Sequence, residues 1–341
     1  MSTVKTDLLI IGAGPVGLFA VFEAGLLKMR CHLMDVLPHI GGQLTEIYPK
    51  KPIYDIPGFP LVMAGELIQN LRKQIDPFKP TFTLGERADK VEQNEDGTFK
   101  VTGHAGTIIE AKVIVIAGGL GCFEPRKPPI HDIDKFEGKG VDYFIRQPED
   151  YLGKRVVIAG GGDSALDWTI ELADVAQSIT LIHRRTSFRG APDSVDKVVK
   201  LVKANKVKLF TNASVIDLEG DEVLHTAIVD HDGTTEKVET DFFLPLFGLT
   251  PKLGPIAEWG LGLDKSSIHV DPFDYSTNIK GIYAIGDINH YKGKLKLILC
   301  GFHEATLMCQ SAFHHIYPQQ KLSFKYTTVT GIEGFEESKK E

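Results

Sequence analysis

Gly12-Ala13-Gly14-Pro15-Val16-Gly17 follows an apolar run, Thr6 to Ile11, and opens an apolar stretch that continues to about Leu27. The run reads as a buried parallel strand and the stretch as a helix. The three glycines then have separate duties: Gly12 permits the sharp turn, Gly14 lets backbone approach a phosphate, and Gly17 lets helix and strand pack closely. The helix N-terminus faces the phosphate charge. Arg30 to Met34 reads as the next strand, ending at Asp35, which follows Gly14 by 21 positions. An acid there accepts hydrogen bonds from an adenine-side ribose. This is a β-α-β unit shaped for a dinucleotide.

The same order of parts recurs. Val156 to Ala159 is a strand, Gly160-Gly161-Gly162-Asp163-Ser164-Ala165 fits G-x-G-x-x-A, and Ser164 to Leu172 reads as the helix. The returning strand, Ile179 to Ile182, ends not in an acid but in His183-Arg184-Arg185, with Arg189 close behind. Arginine at that place pairs bidentately with a 2′-phosphate, which predicts NADPH rather than NADH. Gly160, Gly162, Asp163, Ser164, His183, Arg184, Arg185 and Arg189 are the candidate residues. Two dinucleotide sites in one chain suggest a flavin reduced by a nicotinamide. A third motif agrees: Ile282 to Ile285 is a short strand ending at Gly286-Asp287, where an acid can accept hydrogen bonds from flavin ribityl hydroxyls.

Composition is that of a two-domain globular protein: 341 residues, 43% hydrophobic, 24% charged. The net charge of -7 argues against nucleic acid as a partner. No apolar stretch approaches the roughly 18 residues of a membrane span, so a cytoplasmic protein is expected. Cys31, Cys122, Cys300 and Cys309 form no C-x-x-C pair and read as buried small hydrophobes. His303, His314 and His315 lie on one predicted helix, Gly301 to Ile316, without convincing metal spacing, and no metal is expected. The charged tail from Glu333 reads as disordered. The expected organisation is discontinuous: residues 1–122 with 248–341 form one domain, and 123–247 form the other.

The three motifs in this order resemble the two-domain flavoprotein disulfide reductases of the low-molecular-weight thioredoxin reductase type. That family's cysteine pair lies just before the second glycine motif, where this chain reads Gly140-Val141-Asp142-Tyr143-Phe144-Ile145-Arg146. Dithiol–disulfide exchange needs a thiolate pair, and none stands there. The chain is more similar to the thioredoxin-reductase-like ferredoxin–NADP reductases of bacteria (type 2), through Gly41-Gly42-Gln43-Leu44, Tyr48-Pro49, Ile53 to Pro60, Gly160 to Trp168, His183 to Ala191 and the tail Thr327 to Ile332. The implied fold class is α/β: two Rossmann-like dinucleotide-binding domains, each three-layer ββα, in the flavoprotein pyridine nucleotide-disulfide reductase superfamily without the redox C-x-x-C.

The resemblance further implies FAD and NADP(H) as cofactors, ferredoxin or flavodoxin as partner, and a homodimer. It places Asp35 on the adenosine ribose, Gln43 on the flavin side of FAD, Val91 near adenine, Phe123 along the flavin and Asp287 on the ribityl–pyrophosphate part. Tyr48 and Tyr326 would cover the two flavin faces, and Thr328 would lie near its reactive edge. The implied reaction passes a hydride from NADPH to flavin and then single electrons to the carrier. Because Tyr326 would block the nicotinamide, either it yields or the NADPH domain rotates. Lys292, Lys294 and Lys296 are a candidate docking patch for an acidic carrier. The helix at Gly301 to Ile316 is expected to point its N-terminus at the flavin. Two rivals remain at this level: an NADPH diaphorase acting on quinones or a disulfide protein, and a flavin redox sensor without turnover.

Overall fold

The computed structural model describes residues 3–121, 124–145, 147–250, 252–322 and 331–335. The chain forms two compact units: Met1–Cys122 with Pro251–Glu341, and Phe123–Thr250.

In the first unit, β1 (Val4–Ile11), α1 (Pro15–Leu26) and β2 (Cys31–Asp35) form the first β-α-β element. The short α2 (Gln43–Glu46) and α3 (Ala64–Ile75) follow, then β3 (Thr81–Leu84), β4 (Ala88–Gln93), β5 (Phe99–Gly103) and β6 (Ile108–Ile116). Four strands run parallel in the order β3-β2-β1-β6. β6 serves two partners along its length. Its first half, Ile108 to Ala111, pairs antiparallel with β5, and β5 pairs with β4. Its last residues pair parallel with a strand from the far end of the chain, Ile282–Ala284. Two distant segments thus share one sheet, because only that late strand satisfies the free edge of Ile114 to Ile116 once β5 has diverged. The strand residues Leu8, Leu9, Ile10, Val113, Ile114 and Val115 are wholly buried, as a sheet covered on both faces requires.

The second unit is one continuous segment. β7 (Arg155–Ala159), α4 (Asp163–Leu172), β8 (Ser178–His183), α5 (Pro192–Lys203) and β9 (Val207–Thr211) lead to β10 (Ala213–Gly220), β11 (Leu224–His231), β12 (Thr234–Glu239) and β13 (Phe242–Pro245). The parallel sheet runs β9-β8-β7-β13, and β10-β11-β12 form an antiparallel sheet. Val157, Ile182, Phe210 and Phe243 of the first share a core with Val215, Leu224, Ala227 and Val229 of the second. The ends of this unit meet, Glu124–Pro125 pairing antiparallel with Leu249–Thr250.

In the first unit, β14 (Ile282–Ala284) leads to α6 (Ile298–Ile316). The helix begins one turn before the glycine at which the sequence places its start. The first turn, Ile298-Leu299-Cys300, is too exposed to show the apolar periodicity that marks the rest. α6 packs on α1, where a methyl group on Gly301 would lie 2.4 Å from Val16 Cγ2. Two further expectations need correction. Cys31 and Cys309 are buried but Cys300 is only half-buried, while Cys122 lies outside the described residues. Of the tail, Glu333 to Phe335 are packed: the Phe335 ring meets Phe78 edge-on at 6.3 Å and lies under the Arg30 guanidinium at 4.6 Å. One aromatic anchor holds what composition alone marks as loose; residues 336–341 lie outside the described residues. Among the described residues no helix is long and apolar enough to cross a membrane.

Candidate functional site

Strand register assembles the first site. Ile11 lies level with Met34 and Ile116, and Ile116 with Ala284, so four parallel strands finish at one height. The segments that leave there are Gly12 to Gly14, Asp35, Ala117 to Gly119, and Ile285 to Asp287. Ligands of open α/β sheets bind at this carboxyl edge.

The first turn is tight where packing needs it and bare where a ligand would come. Gly12 has φ of 111°, and a methyl group there would lie 2.4 Å from the Ala117 carbonyl oxygen. On Gly17 it would lie 2.0 Å from the Gly12 oxygen, whereas on Gly14 it would meet nothing within 4 Å. Gly14 caps α1 with no side-chain hydrogen bond, and no acid stands in the first turn, so the helix amides and dipole remain available to an anion. Asp35 braces the turn: Ala13 N donates to Oδ2 at 2.6 Å and Leu37 N to Oδ1 at 2.9 Å. Burial raises its pKa, while those amides pull it down. The carboxylate therefore holds the loop in shape and keeps lone pairs free to accept a further donor.

Gly41 and Gly42 continue the cradle. Gly41 N donates to the Ala13 oxygen at 2.8 Å, and a methyl group on Gly42 would approach Gly14 Cα at 3.2 Å. Gln43, opening α2, brings its amide nitrogen within 3.5 Å of the Cβ position of Gly119. Tyr48 is half-buried, and burial with the nearby Asp287 charge pushes its pKa up to about 12. It is therefore a neutral ring across the physiological range. Asp287 is raised by its own burial and lowered by Lys294 and Lys296. The structure thus brings Gly12, Gly14, Gly17, Asp35, Gln43, Tyr48 and Asp287 to one edge. Val91 instead sits on β4, opposite Val101, half-buried against the core. Phe123, Tyr326 and Thr328 lie outside the described residues.

The second site repeats the design at the carboxyl end of β7. Gly160 N donates to the Ile182 oxygen at 3.0 Å, and a methyl group on Gly160 would meet Ala165 Cβ at 2.6 Å. Gly162 is open, and α4 starts there without a side-chain cap. Asp163 turns aside to accept from Ala191 N at 2.7 Å, and Arg189 N donates to the Gly161 oxygen at 2.8 Å. Ser164 is exposed at the helix start. His183 is buried, its Nε2 3.0 Å from the Ser187 oxygen and its ring stacked on Phe188 at 4.9 Å. It braces the loop, whereas Arg184, Arg185 and Arg189 are exposed, and among the described residues none pairs with an acid. Both units fit a dinucleotide: an unblocked glycine, an uncapped helix start, and a charged second-strand end of opposite sign.

Sequence reasoning passed over Glu304, a wholly buried acid on α6 that binds the Gly286 turn. It also took Lys294 for a surface cation. That side chain is 4% exposed and paired with Glu304, so it drops out of any docking patch, leaving Lys292 and Lys296 exposed.

A chain with two such sites and a divided first unit is a pyridine nucleotide-dependent flavoenzyme in form. It belongs to the pyridine nucleotide-disulphide oxidoreductase family, whose profile matches residues 6–305. It is 63% identical over 342 residues to ferredoxin–NADP reductase 1 of Christiangramia forsetii, covering 99% of this chain and 97% of that one. The ferredoxin–NADP reductase of Flavobacterium johnsoniae is likewise 63% identical, over 339 residues with the same coverage. The enzyme of that name from Bradyrhizobium strain BTAi1 is 51% identical, covering 95% of each chain. In fold the chain resembles the thioredoxin reductase of Lactococcus lactis, with a TM-score of 0.79 at 22% identity, over 92% of this chain and all of that one.

Proposed function

We propose that this chain is a ferredoxin–NADP reductase that moves electrons between NADPH and a one-electron carrier, ferredoxin or flavodoxin. The observation that carries the reading is the opposite charge at two equivalent strand ends: Asp35 braces one glycine turn, and unpaired Arg184 and Arg185 flank the other. The first suits a ribose diol and the second a 2′-phosphate. The second unit, residues 123–250, contains no cysteine, so thioredoxin-type dithiol exchange has no nucleophile there.

FAD, when bound, supplies the conversion between a two-electron hydride donor and a one-electron acceptor. The chain's own residues then position and exclude. Gly14 and Gly42 let backbone amides reach a pyrophosphate. Asp35 and Asp287 accept hydroxyl donors at its two ends. Tyr48 offers a neutral aromatic face for a flat ring. Gln43 reaches across to the Gly118-Gly119 turn. Arg184, Arg185 and Arg189 select NADPH over NADH, while Gly160, Gly162, Asp163, Ser164 and His183 shape the second turn. Tyr326, Thr328 and Phe123 complete the proposed FAD site, and Val91, packed against the core on β4, is proposed to line its adenine end. The cytoplasm is the proposed compartment and a homodimer the proposed assembly, which light scattering on the purified protein tests.

The deciding assay is NADPH-driven reduction of cytochrome c with and without ferredoxin, beside an NADH control. Ferredoxin-dependent turnover with NADPH alone is expected. Protein that NADPH reduces rapidly but that shows no gain from ferredoxin or flavodoxin would sink the assignment and favour a diaphorase.

A further inference from the structure

Glu304 is completely buried and has no part in the reading above. Its two oxygens take four donors. Oε2 accepts from Gly286 N at 2.7 Å and from Asn289 Nδ2 at 2.8 Å. Oε1 accepts from the Tyr291 hydroxyl at 3.0 Å and from Lys294 Nζ. All four donors belong to one segment, residues 286–294, which leaves the carboxyl edge of the parallel sheet and carries Asp287. Asn289 Nδ2 also donates to the Ala284 oxygen at 3.0 Å, tying the segment back to its strand. Gly286 adopts φ of 76°, a left-handed turn that glycine takes without strain.

A buried ion pair is not in general worth more than apolar residues of the same size. Its presence at a ligand edge therefore asks for a positional reason. Lys294 is drawn in from a stretch whose neighbours Lys292 and Lys296 remain exposed. Asp287 senses both members of the pair, with opposite sign.

We propose that Glu304 and Lys294 are a buried positioning pair: Glu304 locks the Gly286–Asp287 turn to α6, and the two charges together keep the wall of the FAD site neutral. This rests on the reading of that edge as the FAD site. Neither residue touches a reacting atom; both act through Asp287 and through the local field.

The test compares Glu304→Gln, Lys294→Met and the double variant. FAD is stripped from each and titrated back, and the flavin midpoint potential is measured. Glu304→Gln removes the negative member of the pair and keeps Lys294. Lys294→Met removes the positive member and keeps Glu304 with its three other donors, Gly286 N, Asn289 Nδ2 and the Tyr291 hydroxyl. The first variant should bind FAD about tenfold more weakly, equivalent to ~1.4 kcal/mol. Its potential should rise, because an uncompensated positive charge favours the more electron-rich flavin. The potential of Lys294→Met should fall, and that of the double variant should return to wild type. A purely structural role would move the potentials the same way or not at all, and either result overturns the proposal. If Glu304→Gln fails to fold, the sign of the Lys294→Met shift decides alone. Wild-type protein that takes up no FAD would overturn the flavin reading and this pair together; FAD uptake with unmoved potentials would overturn the pair only.

Discussion

Arg184 and His183 are neighbours with opposite fates. Along β8 the side chains alternate, so that where the strand ends His183 turns inward onto Phe188 and Arg184 outward. The spacing from Gly162 marks the position of both, but only burial separates the brace from the charge presented to a ligand. Charge-assisted hydrogen bonds to a phosphate are worth roughly 1.5–3 kcal/mol. Arg184→Ala or Arg185→Ala should accordingly raise KM for NADPH about tenfold or more and leave that for NADH unchanged. Steady-state kinetics with both nucleotides measures this, and equal losses for both would count against 2′-phosphate recognition. Gly161 offers a steric test of the same loop. A methyl group there would lie 2.0 Å from His183 Cε1, and the Gly161 oxygen holds Arg189 N. Gly161→Ala should cost ~1–3 kcal/mol of stability by overpacking. It should also weaken NADP+ binding, which calorimetric titration reads; a variant with wild-type affinity would free Arg189 of that dependence.

At the scale of elements, β2 carries a titratable group inside the sheet. His32 is buried, with Nδ1 2.7 Å from Thr81 Oγ1 and Nε2 2.9 Å from Thr83 Oγ1, both on β3. Burial lowers its pKa from 6.5 to about 4. The folded state thus disfavours the protonated ring, and the unfolded chain binds the extra proton first. His32 contributes its full stability above pH 6.5 and loses it as pH falls from 6.5 towards 4, by at most ~3.5 kcal/mol at about 1.4 kcal/mol per pKa unit. Urea unfolding across that window should show the decline, and His32→Leu should flatten it even though overall stability drops. The same slope in both proteins would place the pH dependence elsewhere. In α6 the apolar periodicity reveals the helix but not its first turn. It also cannot announce Glu304, because an acid on the buried face becomes sensible only when Gly286, Asn289, Tyr291 and Lys294 arrive from another segment.

For the whole molecule, the second unit is contiguous and the first is built from both ends of the chain. Each has its own core. Differential scanning calorimetry should therefore resolve two transitions, one raised by FAD and the other by NADP+. A ligand at a hundredfold excess over Kd stabilises its unit by ~2.7 kcal/mol, or ~5–10 °C for a domain of this size. A single transition moved equally by both ligands would refute independent unfolding. Much of this architecture is legible in the residues themselves. The glycine turns announce two phosphate cradles, since only glycine permits φ of 111° at Gly12 or the bare approach at Gly14. The two second-strand ends carry charges of opposite sign, Asp35 and Arg184. Those are local signals, carried within about twenty residues of one another. What tertiary structure alone decides is long-range. Ile282–Ala284 pairs with Ile116 and so brings Asp287 to the edge where Asp35 stands. Lys294 is drawn into an ion pair instead of facing solvent, and Phe335 is pinned beside Phe78. Such pairings depend on which surfaces meet when the chain closes, and no spacing within a single segment encodes them.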